Sequence, residues 1–350
     1  MLQDWKIPKK GRESKMSQFI SLLVSAITIG SVFLFGCTGE ILMEKSGHLN
    51  LGIPGVMCFG TFGGCLGASI FMSSYSADPM SAPWIGVVFM SILFSALMSL
   101  IAGLIYALLT VTFRCNQNVT GLALTTFGAG CADYFMTIID KSYLSYASKI
   151  LRQNIYDDVI LKGNPALADN VGINVLQIFL GYGIIIYLAI VIAVVAAIVL
   201  KKTRIGLSLR AVGENPATAD AVGINVTKYK YSAILLGSVI SGLGGLSYVM
   251  DFVGGSWENS STIQAFGWLA IALVIFCVWK PTLAILGSLV FGFLFILPNA
   301  VTGITFLMMK TLNLVPYVIT VLVLIVTSIV GKRSVQPPSA LGLSYFREER

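Results

Sequence analysis

KKTRIGLSLRAVGENPATADAVGINVTKYK, residues 201–230, is the stretch around which the rest of the chain can be ordered. Its cations Lys201, Lys202, Arg204, Arg210, Lys228 and Lys230 face only two anions, Glu214 and Asp220, and long apolar runs flank it on both sides. A basic segment between apolar runs reads as a loop held on the cytoplasmic face of a membrane, the side that retains Lys and Arg. It is too long for a plain turn. Asn215-Pro216 is a good helix start, with Asn as the cap and Pro at the first helical position. Ala217–Val222 then reads as a short helix, ended by Gly223 at the position where a left-handed residue is wanted. Lying across the membrane face, it would offer a firm knob to a partner, with Arg210 and Glu214 available for pairing.

Composition agrees with a membrane setting. Of 350 residues, 56% are hydrophobic and 11% charged, with a mean hydropathy of +0.85; a soluble domain carries about 25% charged residues. A soluble enzyme, a nucleic-acid-binding domain and a disordered chain are excluded, and the net charge of +7 takes a topological meaning. Two further basic stretches, Lys6–Lys15 and the tail from Lys332, are expected beside 201–230 in the cytoplasm, giving cytoplasmic N- and C-termini. The expected division is a cytoplasmic N-terminal tail 1–16, a transmembrane domain 17–331 and a cytoplasmic tail 332–350. The run from Phe19 to Phe35 is long and lacks an obvious small-residue cleavage site, so it reads as the first membrane helix rather than a removed signal.

Segments of about 20 apolar residues lie at 17–38, 52–72, 84–112, 119–136, 176–200, 231–250, 263–279, 281–297 and 313–331. The class is an all-α polytopic membrane protein of about 8–10 transmembrane helices. Counting back from 201–230 puts the 137–175 loop and the Asp78–Pro83 turn outside. An inside N-terminus then requires an odd number of crossings between residues 17 and 73, so one run there is expected to be broken or re-entrant. The expected break is Gly39–Gly55, GEILMEKSGHLNLGIPG, with Glu40, Glu44, Lys45 and His48 among glycines. Such backbone is tolerated at membrane depth only where protein or a water-filled cavity satisfies it, and transporters build substrate sites there. An ordinary polar surface loop is the alternative. The substrate-pathway candidates are Glu40, Ser46, His48 and Asn50 in this segment, with Thr125 and Phe127 on a facing helix.

Small-residue spacings at Gly60/Gly64, Gly63/Gly67 and Ser241/Gly245 suggest close helix packing. A local repeat is visible: NPALADNVGINV (164–175) and NPATADAVGINV (215–226) match at ten of twelve positions, and one membrane helix separates them. The six cysteines form no CxxC and there is a single histidine, His48, so no metal site is expected. Gly331-Lys332 lacks the upstream glycine of a Walker A loop, and no Ser/His/Asp set is convincing. Neither enzyme activity nor a cofactor is expected in this chain. Ionisable residues within the apolar runs are few, which leans against ion coupling, although a secondary carrier working through Glu40 or Glu44 remains the alternative.

GLSLRAVGENPATADAVGINVTKYKYSAILLGSVISGLGGLSYV (206–249) resembles the coupling loop and following helix of the branched-chain amino acid/ribose-type permease superfamily of ABC importers. GEILMEKSGHLNLGIPGVM (39–57) resembles the basic-membrane-protein-linked branch of that family, whose members import nucleosides and in some cases riboflavin or sugars. IQAFGWLAIALVIFCVWKP (263–281) and PPSALGLSYFREER (337–350) agree. The resemblance implies a type II ABC importer permease fold in a bacterial cytoplasmic membrane. It implies three partners: a second related permease subunit, an ATPase that carries ATP and Mg, and an extracytoplasmic substrate-binding lipoprotein. It places an ATPase-coupling helix on Arg210, Gly213, Glu214, Asn215, Pro216, Ala219, Asp220 and Gly223. Pro54 stands where that branch usually has Glu, and His48 is also unexpected.

Overall fold

In a computed structural model, residues 15–154, 156–157, 171–300, 305–312, 314–330 and 336–346 are described. They form fourteen α-helices and no strand. Seven helices are long and apolar enough to cross a membrane, or eight if one bent pair counts as a span. In chain order they begin with α1 (Lys15–Glu44), α2 (Ile53–Ser73), α3 (Trp84–Ala107), α4 (Gln117–Ile138) and α5 (Lys141–Leu151). Next come α6 (Val171–Leu180), α7 (Ile184–Lys202), α8 (Arg204–Glu214), α9 (Pro216–Ala221) and α10 (Val226–Ser247). The last are α11 (Ser261–Phe276), α12 (Pro281–Ala300), α13 (Phe306–Leu312) and α14 (Val315–Val330).

Burial sorts these helices into a centre and a perimeter. The spans on α2 and α10 are 78% and 72% buried, whereas those on α3 and α7 are 28% and 33%. Helix α3 has its apolar face outward: Ile85, Phe89, Leu93, Leu97 and Leu104 are exposed while Ser91, Ser95, Ser99 and Gly103 are buried. That is the pattern of a helix surrounded by hydrocarbon, where polar and small residues are driven to the protein side. Two of these serines satisfy their hydroxyls on the helix's own carbonyls, Ser91 on Val87 (2.7 Å) and Ser99 on Ser95 (2.7 Å). The anticipated small-residue spacings mark the closest approaches. A Cβ on Gly60 would meet the Gly242 carbonyl oxygen at 2.1 Å, so α2 and α10 touch backbone to backbone.

Several expectations change. The Gly39–Gly55 break shrinks to residues 45–52, because α1 continues through Glu40 to Glu44. Both early runs are whole helices. Helix α1, about 45 Å long at 1.5 Å per residue, ends against Gly213 and therefore begins at the far end of the bundle. Its neighbours show the direction: Ser31 bonds Ser247 (3.0 Å), Ser241 bonds the Gly36 carbonyl (3.4 Å), and Gly39 abuts Gly237. Lys15 thus lies at the end carrying Asp78, opposite α8, so an unbroken α1 starts at the other end of the bundle from 201–230. Residues 1–14 lie outside the described set, as do most of the 164–175 repeat and residues 331–335 and 347–350.

The 176–200 run is interrupted at Gly181–Gly183, which separates α6 from α7. Within the 137–175 loop, α5 folds back at 102° from α4. It is capped by Asp140 on the Ser142 N–H (2.9 Å) and pinned by the Ser148 hydroxyl donating to the Met250 carbonyl (2.6 Å).

Candidate coupling face and buried junction

At one end of the bundle the α7–α10 connection forms a small helical layer. Thr203 caps α8, accepting the Gly206 N–H at 3.1 Å, and Asn215 caps α9, accepting the Thr218 N–H at 3.0 Å with Pro216 at the first position. Gly223 follows α9 at φ +86°, a conformation open to glycine without strain. The short helix was legible in sequence; α8 was not, although Gly206, Leu209 and Val212–Gly213 repeat at helical spacing and all are buried.

The eight coupling candidates divide by direction. Gly213 and Ala219 point inward and are buried; Arg210, Glu214, Asn215 and Gly223 are exposed, and Pro216 and Asp220 are intermediate. Beside them stand Ile205, Leu207 and Val222, at 63%, 61% and 72% exposure. The result is a short amphipathic ledge with apolar knobs and a basic surround, a surface suited to docking into a cleft of another protein. Gly213 is obligatory in its place: a Cβ there would lie 2.3 Å from the Lys45 carbonyl oxygen.

Beneath the ledge, residues 45–52 join α1 to α2. This link is buried, so its backbone polar groups need partners, and side chains from three helices supply them. Glu40 Oε1 accepts the Asn50 N–H (2.9 Å), and Gln117 Oε1 accepts the Leu49 N–H (3.0 Å). Tyr106 donates to the Leu49 carbonyl (2.7 Å) and Thr125 to the Leu51 carbonyl (2.9 Å). Asn50 Oδ1 accepts the Gly52 N–H (2.9 Å) and the Ser46 hydroxyl donates to the Met43 carbonyl (2.6 Å). The Trp279 indole donates to the Glu44 carboxylate. Pro54, in the first turn of α2 where its missing N–H costs nothing, packs on Gly267.

The structure therefore gathers Glu40, Ser46, Asn50 and Thr125 into one closed polar junction. Tyr106, Gln117 and Trp279, which sequence reasoning missed, complete it. A lone polar residue in an apolar run carries no signal of which distant loop it will satisfy. His48, 1% exposed, has no hydrogen-bond partner on either ring nitrogen. Burial and the nearby Lys230 push its pKa well below the ordinary value, so it is neutral. It lines a cavity of about 830 Å³ with Thr110, Arg114, Asn225, Lys228 and Lys230. Burial likewise lowers the pKa of Lys45, partly offset by Glu214. Phe127 stands apart: it is 55% exposed on the open face of α4, 5.8 Å from the Phe59 ring. With Thr126, Gly130, Cys131, Tyr134 and Phe135 it lines a shallow groove of about 380 Å³. Among the described residues no cluster of His, Cys, Asp or Glu has the makings of a metal site.

Comparison with known proteins agrees with this architecture. Residues 22–327 match the family described as branched-chain amino acid transport system / permease component. The chain is 31% identical over 336 residues to the nucleoside ABC transporter permease protein NupC of Lactococcus lactis subsp. cremoris, covering 94% of this chain and 98% of that one. It is 30% identical over 347 residues to the guanosine ABC transporter permease protein NupQ of Bacillus subtilis, covering 95% and 99%. A second Lactococcus relative, the nucleoside ABC transporter permease protein NupB, is 25% identical over 272 residues, covering 73% and 68%. With the family matched across most of its length and its helices arranged for hydrocarbon, the chain belongs to the branched-chain amino acid transport system / permease component family and is a multi-pass ABC importer permease.

Proposed function

We propose that this chain forms one half of a translocation pathway for nucleosides or related ribosyl compounds, driven by a separate ATPase that docks on α8–α9. The observation that carries the reading is the ledge itself: exposed Leu207 and Val222 on short capped helices, seated by Gly213 directly on the α1–α2 junction. Similarity to permeases named for nucleosides and guanosine supports the substrate class. The positive-inside rule puts the α8 end, with Lys201, Lys202, Arg204 and Lys228, in the cytoplasm.

A second permease subunit faces the open side of α4 in this proposal. The aromatic and hydroxyl groups of Phe127, Tyr134 and Thr126 suit a ring-bearing, hydroxyl-rich solute. The naming of both NupB and NupC as permeases in one organism supports a pair of unlike subunits. Glu40, Ser46, His48, Asn50 and Thr125 belong to the closed junction below that pathway, and its rearrangement would open the inner side. An extracytoplasmic binding protein delivers the solute at the Asp78 end. The chain itself binds no ATP, and the transition is a two-state movement of alternating-access type.

The test is purification of the tagged protein in gentle detergent, followed by uptake of labelled nucleosides by the reconstituted assembly with sugars as competitors. Recovery of an ATPase and a second multispanning subunit is expected, and Glu214→Lys should abolish uptake without preventing membrane insertion. This chain purifying alone and driving uptake from an ion gradient would overturn the reading in favour of a secondary carrier.

A further inference from the structure

Residues 336–346 lie across the same end of the bundle, and their contacts are specific. The Ala340 N–H donates to the Gly213 carbonyl at 3.0 Å, and the Gly342 N–H donates to the Gly47 carbonyl at 3.1 Å. Ser339 donates its hydroxyl to Glu214 Oε2 at 2.9 Å, and the Tyr345 hydroxyl donates to Asp220 Oδ2 at 2.8 Å. Tyr345 also packs on the small apolar cluster of Val212, Ala219 and Val226. Phe346 receives the Arg114 guanidinium, from the α3–α4 link, 4.7 Å above its ring. The turn that directs the Ala340 amide to α8 and the Gly342 amide to the 45–52 link places Gly342 at φ +79°, a conformation glycine adopts without strain.

We propose that this segment is a positioning strap, which ties α8–α9 to the α1–α2 junction so that movement at the ledge is delivered to residues 45–52. The inference rests on the reading of α8–α9 as the ATPase contact. Helix α9 has six residues, far too few to hold its place by its own hydrogen bonds, and its apolar cluster is only three buried side chains. Without a tie, a push on α9 would be absorbed by flexing of the 201–230 connection. With it, Gly213 and Gly47 are bridged through one short turn. Gly47 belongs to the segment whose amides are held by Glu40 and Gln117, so displacement of the ledge reaches those groups directly. Ser339 and Tyr345 are the side chains that set the strap's register, each on a carboxylate of the ledge.

The experiment uses the full assembly and the double variant Ser339→Ala/Tyr345→Phe, which keeps the Tyr345 ring in its cluster and removes both hydroxyls. The single variant Tyr345→Phe serves if the double variant fails to assemble. Three quantities are read: the ATPase recovered with the chain, solute moved per ATP hydrolysed, and backbone hydrogen exchange in 45–52. Assembly should persist while solute moved per ATP falls by about 5- to 150-fold, the range for losing two ordinary hydrogen bonds at exposed or half-buried sites. Exchange in 45–52 should rise. An unchanged transport ratio and unchanged exchange overturn the strap. A loss of ATPase recovery in proportion to transport also overturns it, because that is a merely structural role. If the unmodified chain recovers no ATPase, the reading of the ledge fails, and exchange in 45–52 alone decides whether the strap holds the junction.

Discussion

Gly213→Ala is the perturbation with the clearest sign. In an isolated helix, alanine in place of glycine stabilises by about 1 kcal/mol. At the C-terminal end of α8 the added carbon would lie 2.3 Å from the Lys45 carbonyl oxygen and 3.2 Å from the Gly47 nitrogen, where ordinary contact begins at 3.4 Å. One backbone must therefore retreat by about 1 Å from the other, the difference between those two distances. Neither is free to do so, because Gly213 and Gly47 are bridged by the Ala340 and Gly342 amides. Overpacking of this kind costs about 1–3 kcal/mol, and loosening the two bridging bonds adds about 0.5–1.5 kcal/mol each. Even the lower bounds, less the helix gain of about 1 kcal/mol, leave about 1 kcal/mol against the native seating of the ledge, about fivefold at 1.4 kcal/mol per factor of ten, and uptake should fall by about that factor. The assay is labelled-nucleoside uptake by the reconstituted assembly beside thermal unfolding of the purified assembly. Gly130→Ala is the control for the unfolding midpoint alone, which should be unchanged or slightly raised because nothing lies within 4 Å of its added carbon; the groove it lines excludes it as an uptake control. Uptake and unfolding midpoint at or above wild type for Gly213→Ala would refute the backbone contact and the argument built on it.

Other outcomes follow from the buried junction. Glu40→Gln retains an oxygen for the Asn50 N–H, so the importer should assemble and take up solute without an ion gradient; selective loss of uptake with normal assembly would favour the carrier reading. Trp279→Phe removes the indole donor to the buried Glu44 carboxylate. That should cost about 1–3 kcal/mol, read as a lower unfolding midpoint in detergent, and an unchanged midpoint would count against the bond. His48 is held neutral by burial and by Lys230, below its ordinary value of 6.5. The unfolded chain takes up a proton that the folded one refuses, so this contribution is intact above pH 6.5 and is lost as pH falls through it. His48→Gln should flatten the acid limb of a stability–pH curve; the same slope in both proteins would show that His48 is not its source.

The membrane class, most helix positions, the Asn215-capped α9 and the left-handed Gly223 were legible in sequence. Each is a local consequence of apolar run length, cap chemistry or charge asymmetry. The Gly39–Gly55 segment shows where locality stops. Glycines and charges there mark a break, but the packing of Gly39 and Met43 against Gly237 of α10 accompanies the helix on to Glu44. That continuity starts α1 at the end of the bundle opposite α8.

The pentapeptide VGINV makes the same point twice. At 171–175 it opens helix α6, whereas at 222–226 it supplies the cap of α9, a left-handed glycine and the Asn225 cap of α10. Identical residues have identical propensities, so their surroundings decide. The sequence by itself therefore determined that this is a membrane permease and that a short Asn215-capped helix sits in its basic 201–230 connection. Only the tertiary structure decided that Tyr106, Gln117 and Trp279 satisfy the α1–α2 link, that Phe127 stands apart from Glu40 and Asn50, and that Ser339 and Tyr345 reach Glu214 and Asp220. Those are pairings between residues far apart along the chain. They arise because buried polar groups must find partners wherever the packing of apolar helices happens to bring them.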